Sequence, residues 1–328
     1  MDVTETLGVV AHPGGLLVRR PELTVGVVRA VSGPSALEIE LLARRPLDRR
    51  SAAERQQDIR AGRAGRPAPR RLLPAFDEGT DLRVGWLDHA GRAHWEFATS
   101  GSSDDGDHYL GTSGPTCRAV FGLPPAFDRL SLVLAWPEIG FPETVIPMPL
   151  PDRATVERAA TSIWQAPLDV RPVPAGLNHL ADHPHDPPAI ETGTIVAPPR
   201  VLHRHGHVAA VVLTRLTAVD SLLSMELLSI ANGAVDHAFP PERPTAGELD
   251  DPAHLRATGP GASVATIRGT DAFWPRPGDG TFTGGDQTFT CIQEFTLTAP
   301  DDGVLDLIVA WPLAGLHDVR VRIPLARV

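Results

Sequence analysis

Apolar and polar residues alternate with a period of two along much of the chain. Leu37, Ile39 and Leu41 alternate with Glu38 and Glu40, the signature of a strand with one face on a core. Leu82, Val84 and Trp86 repeat the pattern, Asp88-His89-Ala90-Gly91 turns, and residues 92–97 return, which predicts a hairpin. Residues 16–18 and 23–31 read as strands joined at Pro21-Glu22. Cys117, Ala119, Phe121 and Leu123 form another, stopped by Pro124-Pro125. Residues 100–106, rich in Ser, Gly and Asp, read as a loop, as do the glycine-rich residues 276–285.

The pattern is then written a second time. From Leu130 the chain reads LSLVLAWPEIGFPETVIPMPL and from Leu305 LDLIVAWPLAGLHDVRVRIPL, matched without a gap. Trp136-Pro137 falls on Trp311-Pro312, Gly140 on Gly315, and Pro149-Leu150 on Pro324-Leu325. ALEIELLA from Ala36 matches LLSMELLS from Leu222, so the repetition reaches back towards the start of each half. Leu130, Leu132 and Leu134 share one face, as do Leu305, Leu307 and Val309. The Trp that follows closes the end of a core, the Pro stops the ladder, and the Gly permits a turn. The repeated stretch is therefore read as architecture and not as a site.

These features predict an all-β fold: two tandem β-sandwich (immunoglobulin-like) domains from an internal duplication, with a short helix after the first. The expected division is residues 1–150 for the first sandwich, 151–200 for a helix and a Pro/His-rich linker, and 201–328 for the second. The helix is placed over 151–165, capped by Asp152, with Ala159, Ala160, Ile163 and Trp164 on its apolar side, as a strut on the first domain or between the two. Residues 166–200 lack periodicity and read as an irregular connection.

Residues 44–75 interrupt the first copy. Matched residues are offset by 186 before this stretch and by 175 after it, so the first copy is 11 residues longer. Ten arginines face three acids there, a local balance of +7 against −17 for the rest of the chain. A short helix over 52–61, with Ser51 and Glu54 as a capping box, leads into the extended Gly65-Arg66-Pro67-Ala68-Pro69.

Composition narrows the setting. A chain of 328 residues suits two domains of roughly 150 residues each. The net charge of −10 argues against general nucleic-acid binding. All 30 basic residues are Arg, first a mark of a high-G+C genome. The two cysteines, Cys117 and Cys291, occupy equivalent places in the two copies and are expected as free thiols. No apolar run reaches the ~18 residues of a membrane span, and the N-terminus carries acids where a signal peptide needs bases. A cytoplasmic protein is expected.

The strand of residues 130–134, the loop of 100–106, the WPxxG turn of Trp136 to Gly140, and Ala159-Ala160 followed by Trp164 resemble an uncharacterised family of high-G+C Gram-positive (actinobacterial) proteins. The resemblance covers most of the first half and, without the helix, the second. It implies no activity, cofactor or site residue, and the arginine-rich insertion departs from it.

Two stretches carry candidate chemistry. His203, His205 and His207, if extended, place successive imidazoles about 6.5–7 Å apart on one face, a conceivable metal site that His179, His183 and His185 could supplement. The arginines of the insertion, chiefly Arg49, Arg50, Arg55, Arg60, Arg63, Arg66, Arg70 and Arg71, offer paired hydrogen bonds to carboxylates or phosphates. Asp104, Asp105 and Asp107 lack the ordered spacing of a calcium loop. Gly111-Thr112-Ser113-Gly114 is not a nucleophile elbow. Gly278, Gly280, Gly284 and Gly285 precede no helix that could present amides to a phosphate. The expected function is a non-enzymatic binding or scaffold protein engaging an acidic protein partner through the arginine-rich loop, without a cofactor. The alternatives are a metal-binding protein or metalloenzyme using the second-half histidines, and a regulatory protein binding an acidic polymer.

Overall fold

The structure, a computed structural model, describes residues 5–46, 52–62, 68–74, 81–104, 114–182, 193–233, 259–278, 280–283 and 288–326. The chain divides into two compact units, residues 8–160 and residues 1–7 with 161–328, called here the N-terminal and C-terminal units.

The N-terminal unit contains β2 (Val9–Val10), β3 (Gly15–Arg19), β4 (Thr24–Ser32), β5 (Leu37–Arg44), helix α1 (Ala52–Arg60), β6 (Arg83–Leu87), β7 (Ala93–Glu96), β8 (Ala98–Asp104), β9 (Thr116–Leu123), β10 (Arg129–Trp136), β11 (Phe141–Pro149) and helix α2 (Arg153–Ala159). One sheet runs β2-β4-β5-β9-β8, with β3 also on β4, and the other β11-β10-β6-β7. Their apolar faces share one core. Leu37, Ile39 and Leu41 from the first sheet meet Val84, Leu132 and Leu134 from the second, all at most 1% exposed. Burying each such side chain contributes roughly 1.5–3 kcal/mol, which is why the alternation is kept so strictly.

The C-terminal unit begins with β1 (Thr6–Leu7), which pairs with β12 (Thr161–Ser162). It continues with β13 (Val170–Arg171), β14 (Asn178–Ala181), β15 (Thr194–Ala197), β16 (Arg200–His205), β17 (Ala209–Val219), β18 (Leu222–Asn232), β19 (Ser263–Arg268), β20 (Asp271–Trp274), β21 (Gly280–Thr283), β22 (Thr288–Thr298), β23 (Val304–Trp311) and β24 (Leu316–Pro324). One sheet runs β15-β17-β18-β22-β21, with β16 on β17, and the other β13-β24-β23-β19-β20-β14. Without β13 and β14, strand order matches the N-terminal unit position for position. So do details. The register shifts after Val27 in β4 and after Leu213 in β17, 186 residues apart. The residue beyond each shift, Arg29 or Arg215, lies directly across from a buried Glu, Glu40 or Glu226. Arg215 reaches Glu294 Oε1 at 2.7 Å, and Thr214 donates to Glu226 Oε1 at 2.6 Å.

The repeated stretches behave as the alternation predicts. Trp136 is 6% exposed and Trp311 is fully buried against Phe289, with ring centroids 6.2 Å apart. Each is followed by one 3-10 turn whose closing glycine, Gly140 or Gly315, is left-handed at φ 86° or 73°.

Three sequence expectations change. Helix α2 ends at Ala159, where Ala160 turns extended, so the stretch from Thr161 joins the C-terminal unit. There Ile163, Trp164 and Ala166 pack on Val201, Ala210, Val212 and Ile230, the face of the sheet turned away from the core. An apolar spacing of three and four served a sheet surface, not a helix side. The connection over 166–200 is not wholly irregular either. It supplies both edge strands of one sheet, β13 and β14, while Val173 and Leu177 cover Ala265, Ala272, Trp274 and Ile308. Short exposed edge strands bury no alternating face, so they leave no period in the sequence. The Ser/Gly-rich stretches read as loops contain β8 and β21 for the same reason. A Cβ on Gly280 would lie 2.8 Å from the carbonyl oxygen of Ile292, so glycine there serves strand approach.

Candidate functional site

The histidine strand is built by β16. His203 lies across from Val211 and His205 across from Ala209, whose side chains belong to the core, so both histidines lie at the open end of the core face. His203 replaces Val18 of the other unit, which holds the same register position on β3. Its ring bridges the two sheets: Nε2 is 2.9 Å from the carbonyl oxygen of His317 on β24, and Nδ1 accepts from the Arg204 amide at 2.9 Å. That pairing requires the neutral Nε2–H tautomer. Burial holds the imidazole below its ordinary pKa. His205 is exposed, and His207 lies in the turn after β16, tilted against Trp164 with centroids 5.6 Å apart. The three imidazoles thus have separate roles and are not brought together on one ion. His179, on β14, accepts from Trp274 Nε1 at 3.0 Å. His183 and His185 lie outside the described residues. Among the described residues no group of three or more His, Cys, Asp or Glu side chains is disposed to hold a metal ion.

Of the arginine insertion, Arg49, Arg50, Arg63 and Arg66 lie outside the described residues, as does the side chain of Arg55 within α1. Arg60 ends α1 and is exposed. The tail, residues 68–74, is fastened to its own unit. The Ala68 amide donates to the Pro137 carbonyl at 2.9 Å. Three consecutive amides, Arg71, Leu72 and Leu73, donate to the Glu143 carboxylate at 2.8, 2.8 and 2.6 Å. Successive N–H groups aimed at one carboxylate make an anion nest. Beside it, Arg70 Nη2 and Arg83 Nη2 each lie 2.5 Å from Glu138 Oε1. Leu73 is buried, while the Arg71 side chain is exposed. Sequence reading marked the arginines but missed Glu138, Glu143 and Arg83. For Glu138 and Arg83 the available signal was a difference from the second copy, where Leu313 matches Glu138 and Ser263 takes the register place of Arg83; Glu143 carried no such signal, because Asp318 matches it.

The remaining candidate positions serve structure or fall outside. Asp104 closes β8, and Asp105, Asp107, residues 111–113, Gly284 and Gly285 lie outside the described residues. Gly278 donates to the Glu294 carbonyl. Cys117 and Cys291 are free thiols in equivalent register, opposite Ala43 and Ser229. Burial pushes the Cys291 thiol up to about 12 and raises that of Cys117. At the β6–β7 hairpin, His94 stacks on Trp86 with centroids 4.5 Å apart, and its Nε2 lies 3.1 Å from Asp88 Oδ2.

The fold defines an all-β protein of two units, each with two sheets on a common core. No protein-family model and no curated protein matches the sequence. Among solved structures the chain is similar to a conserved domain protein from Bacillus anthracis, at 8% identity and a TM-score of 0.21, over 92% of this chain and 77% of that one. No helix among the described residues is long and apolar enough to cross a membrane.

Proposed function

We propose that the chain is a non-enzymatic binding or scaffold protein: two immunoglobulin-like β-sandwiches descended from one, with an arginine-rich insertion in the first that engages an acidic protein partner. One observation carries this reading. Both units join the equivalent strands by a long segment, residues 45–82 and 233–262, but it is arginine-rich in the first alone, and there its tail is fastened by Glu138 and Arg83, whose places in the second unit are taken by Leu313 and Ser263. Side chains recruited to hold a segment in place point to a use for that segment. Arg60 and Arg71 are exposed, and guanidinium groups grip carboxylates through paired hydrogen bonds. Support for a non-enzymatic role comes from the groups with chemical potential: His203, His179 and His94 are engaged in structural contacts, and burial holds both thiols in their inert protonated form. Two free thiols fit a reducing, cytoplasmic setting.

The test uses immobilised poly-glutamate as the acidic probe, with double-stranded DNA and anionic vesicles as parallel arms. The intact chain is expected to be retained on poly-glutamate at low salt and released by added salt. A variant with residues 47–66 replaced by a Gly/Ser linker, keeping the fastened tail, is expected to pass through. Equal retention of the two proteins, no retention of either, or stronger retention on DNA or vesicles would overturn the reading.

A further inference from the structure

The tail of the insertion already holds two carboxylates, and they belong to the protein itself. Glu143 fills a nest of three successive amides, and Glu138 sits between the guanidinium groups of Arg70 and Arg83. Both are charge-assisted arrangements of the kind that recognises an acidic ligand. We infer that Glu138 and Glu143 are an internal stand-in for the acidic partner, an autoinhibitory clasp that a partner segment presenting two carboxylates in similar disposition displaces. The inference rests on the acidic-partner reading above and adds how that site is regulated.

Three features favour a displaceable clasp over a permanent brace. Glu138 is 29% exposed and Arg70 is 21% exposed, so water and a competing acid can reach the pair. Arg83, 13% exposed, holds the same carboxylate from β6, so Glu138 keeps a cationic partner when a ligand with several acids draws Arg70 away. The two carboxylates come from the turn before β11 and from β11 itself, within the hydrogen-bonded β10–β11 hairpin, whereas residues 68–74 form no strand or helix, so the tail is the part a competing acid would displace. Its fastening includes the Glu138 and Glu143 contacts, one amide at Ala68, the buried Leu73, and a 3.4 Å hydrogen bond from Trp95 Nε1 to the Leu72 carbonyl.

The experiment compares the full chain with Glu138→Gln/Glu143→Gln, near-isosteric changes that remove both charges, and with Glu143→Gln alone to guard against loss of fold. Thermal unfolding confirms that each variant is folded. Hydrogen exchange at the amides of residues 71–73 reads the clasp, and affinity for soluble poly-glutamate reads the site. The double variant is expected to exchange faster at those amides and to bind poly-glutamate about tenfold more tightly. Unchanged exchange overturns the clasp. Faster exchange in a variant that binds no better than an intact chain that does bind overturns autoinhibition and leaves the partner reading standing. Binding by neither protein, with exchange accelerated, overturns the partner reading and the inference that rests on it.

Discussion

At the scale of single residues, glycines that look alike in sequence are required for different reasons. Gly315 closes the turn after Trp311 at φ 73°, yet a Cβ there would meet nothing within 4 Å. Gly315→Ala therefore bears only the left-handed backbone cost, about 1–2 kcal/mol. Gly85 lies in β6, and a Cβ there would sit 2.3 Å from the His94 carbonyl oxygen on β7. Gly85→Ala must push strands apart, at about 1–3 kcal/mol. Denaturant unfolding separates the two: Gly315→Ala lowers stability with the structure unchanged, whereas Gly85→Ala also shifts the amide resonances of β7. A Gly85→Ala protein with native β7 resonances would contradict the close approach. In the sequence Gly315 repeats Gly140, whereas Ala265 takes the register place of Gly85; only the neighbouring backbone tells a turn requirement from a packing one.

At the scale of the element, the β6–β7 hairpin is tied by Asp88. Its carboxylate accepts from the Ala90 and Arg92 amides, both at 2.9 Å, from Arg92 Nε and from the His94 ring. The Arg92 amide first, and then His94, hold this carboxyl well below the ordinary carboxylate range. A depressed folded pKa means the contribution is fully present above the unfolded value of about 3.9 and fades as pH falls through the folded value. Exchange protection of the hairpin amides should therefore decline below about pH 4, and Asp88→Asn should remove that dependence while lowering protection at neutral pH. Unchanged acid behaviour in Asp88→Asn would show that another group controls the hairpin. The turn itself was legible, because Asp-x-x-Gly between alternating strands has a local cause. The carboxylate's four donors were less so, since His94 meets Asp88 only once the strands pair.

For the whole molecule, sequence and structure differ most over where the second unit begins. Composition places its start at Val201; packing adds residues 161–200 and residues 1–7, because Ile163, Trp164, Val173 and Leu177 cover apolar positions on both of its sheets and β1 pairs with β12. A fragment of residues 161–328 should unfold cooperatively, while the same fragment with Ile163, Trp164, Val173 and Leu177 changed to Ser leaves those faces bare and should aggregate or melt without a transition. Equal cooperativity in the two fragments would refute the covering role. The acids that hold the insertion's tail follow the same logic: Glu138 and Glu143 lie about 70 residues from their partners along the chain, and nothing local marks them.

What the chain determined by itself is whatever has a local physical cause. The period of two follows from strands that bury one face, the matching of two long stretches needs no coordinates, and Trp-Pro-x-x-Gly ends a strand through the chemistry of its own residues. Tertiary structure decided the rest: which unpatterned segments become edge strands, which histidine is spent bridging two sheets, and which acids hold the arginine-rich tail. These depend on contacts between residues far apart in sequence, and edge strands and exposed polar contacts bury too little apolar surface to leave a periodic trace.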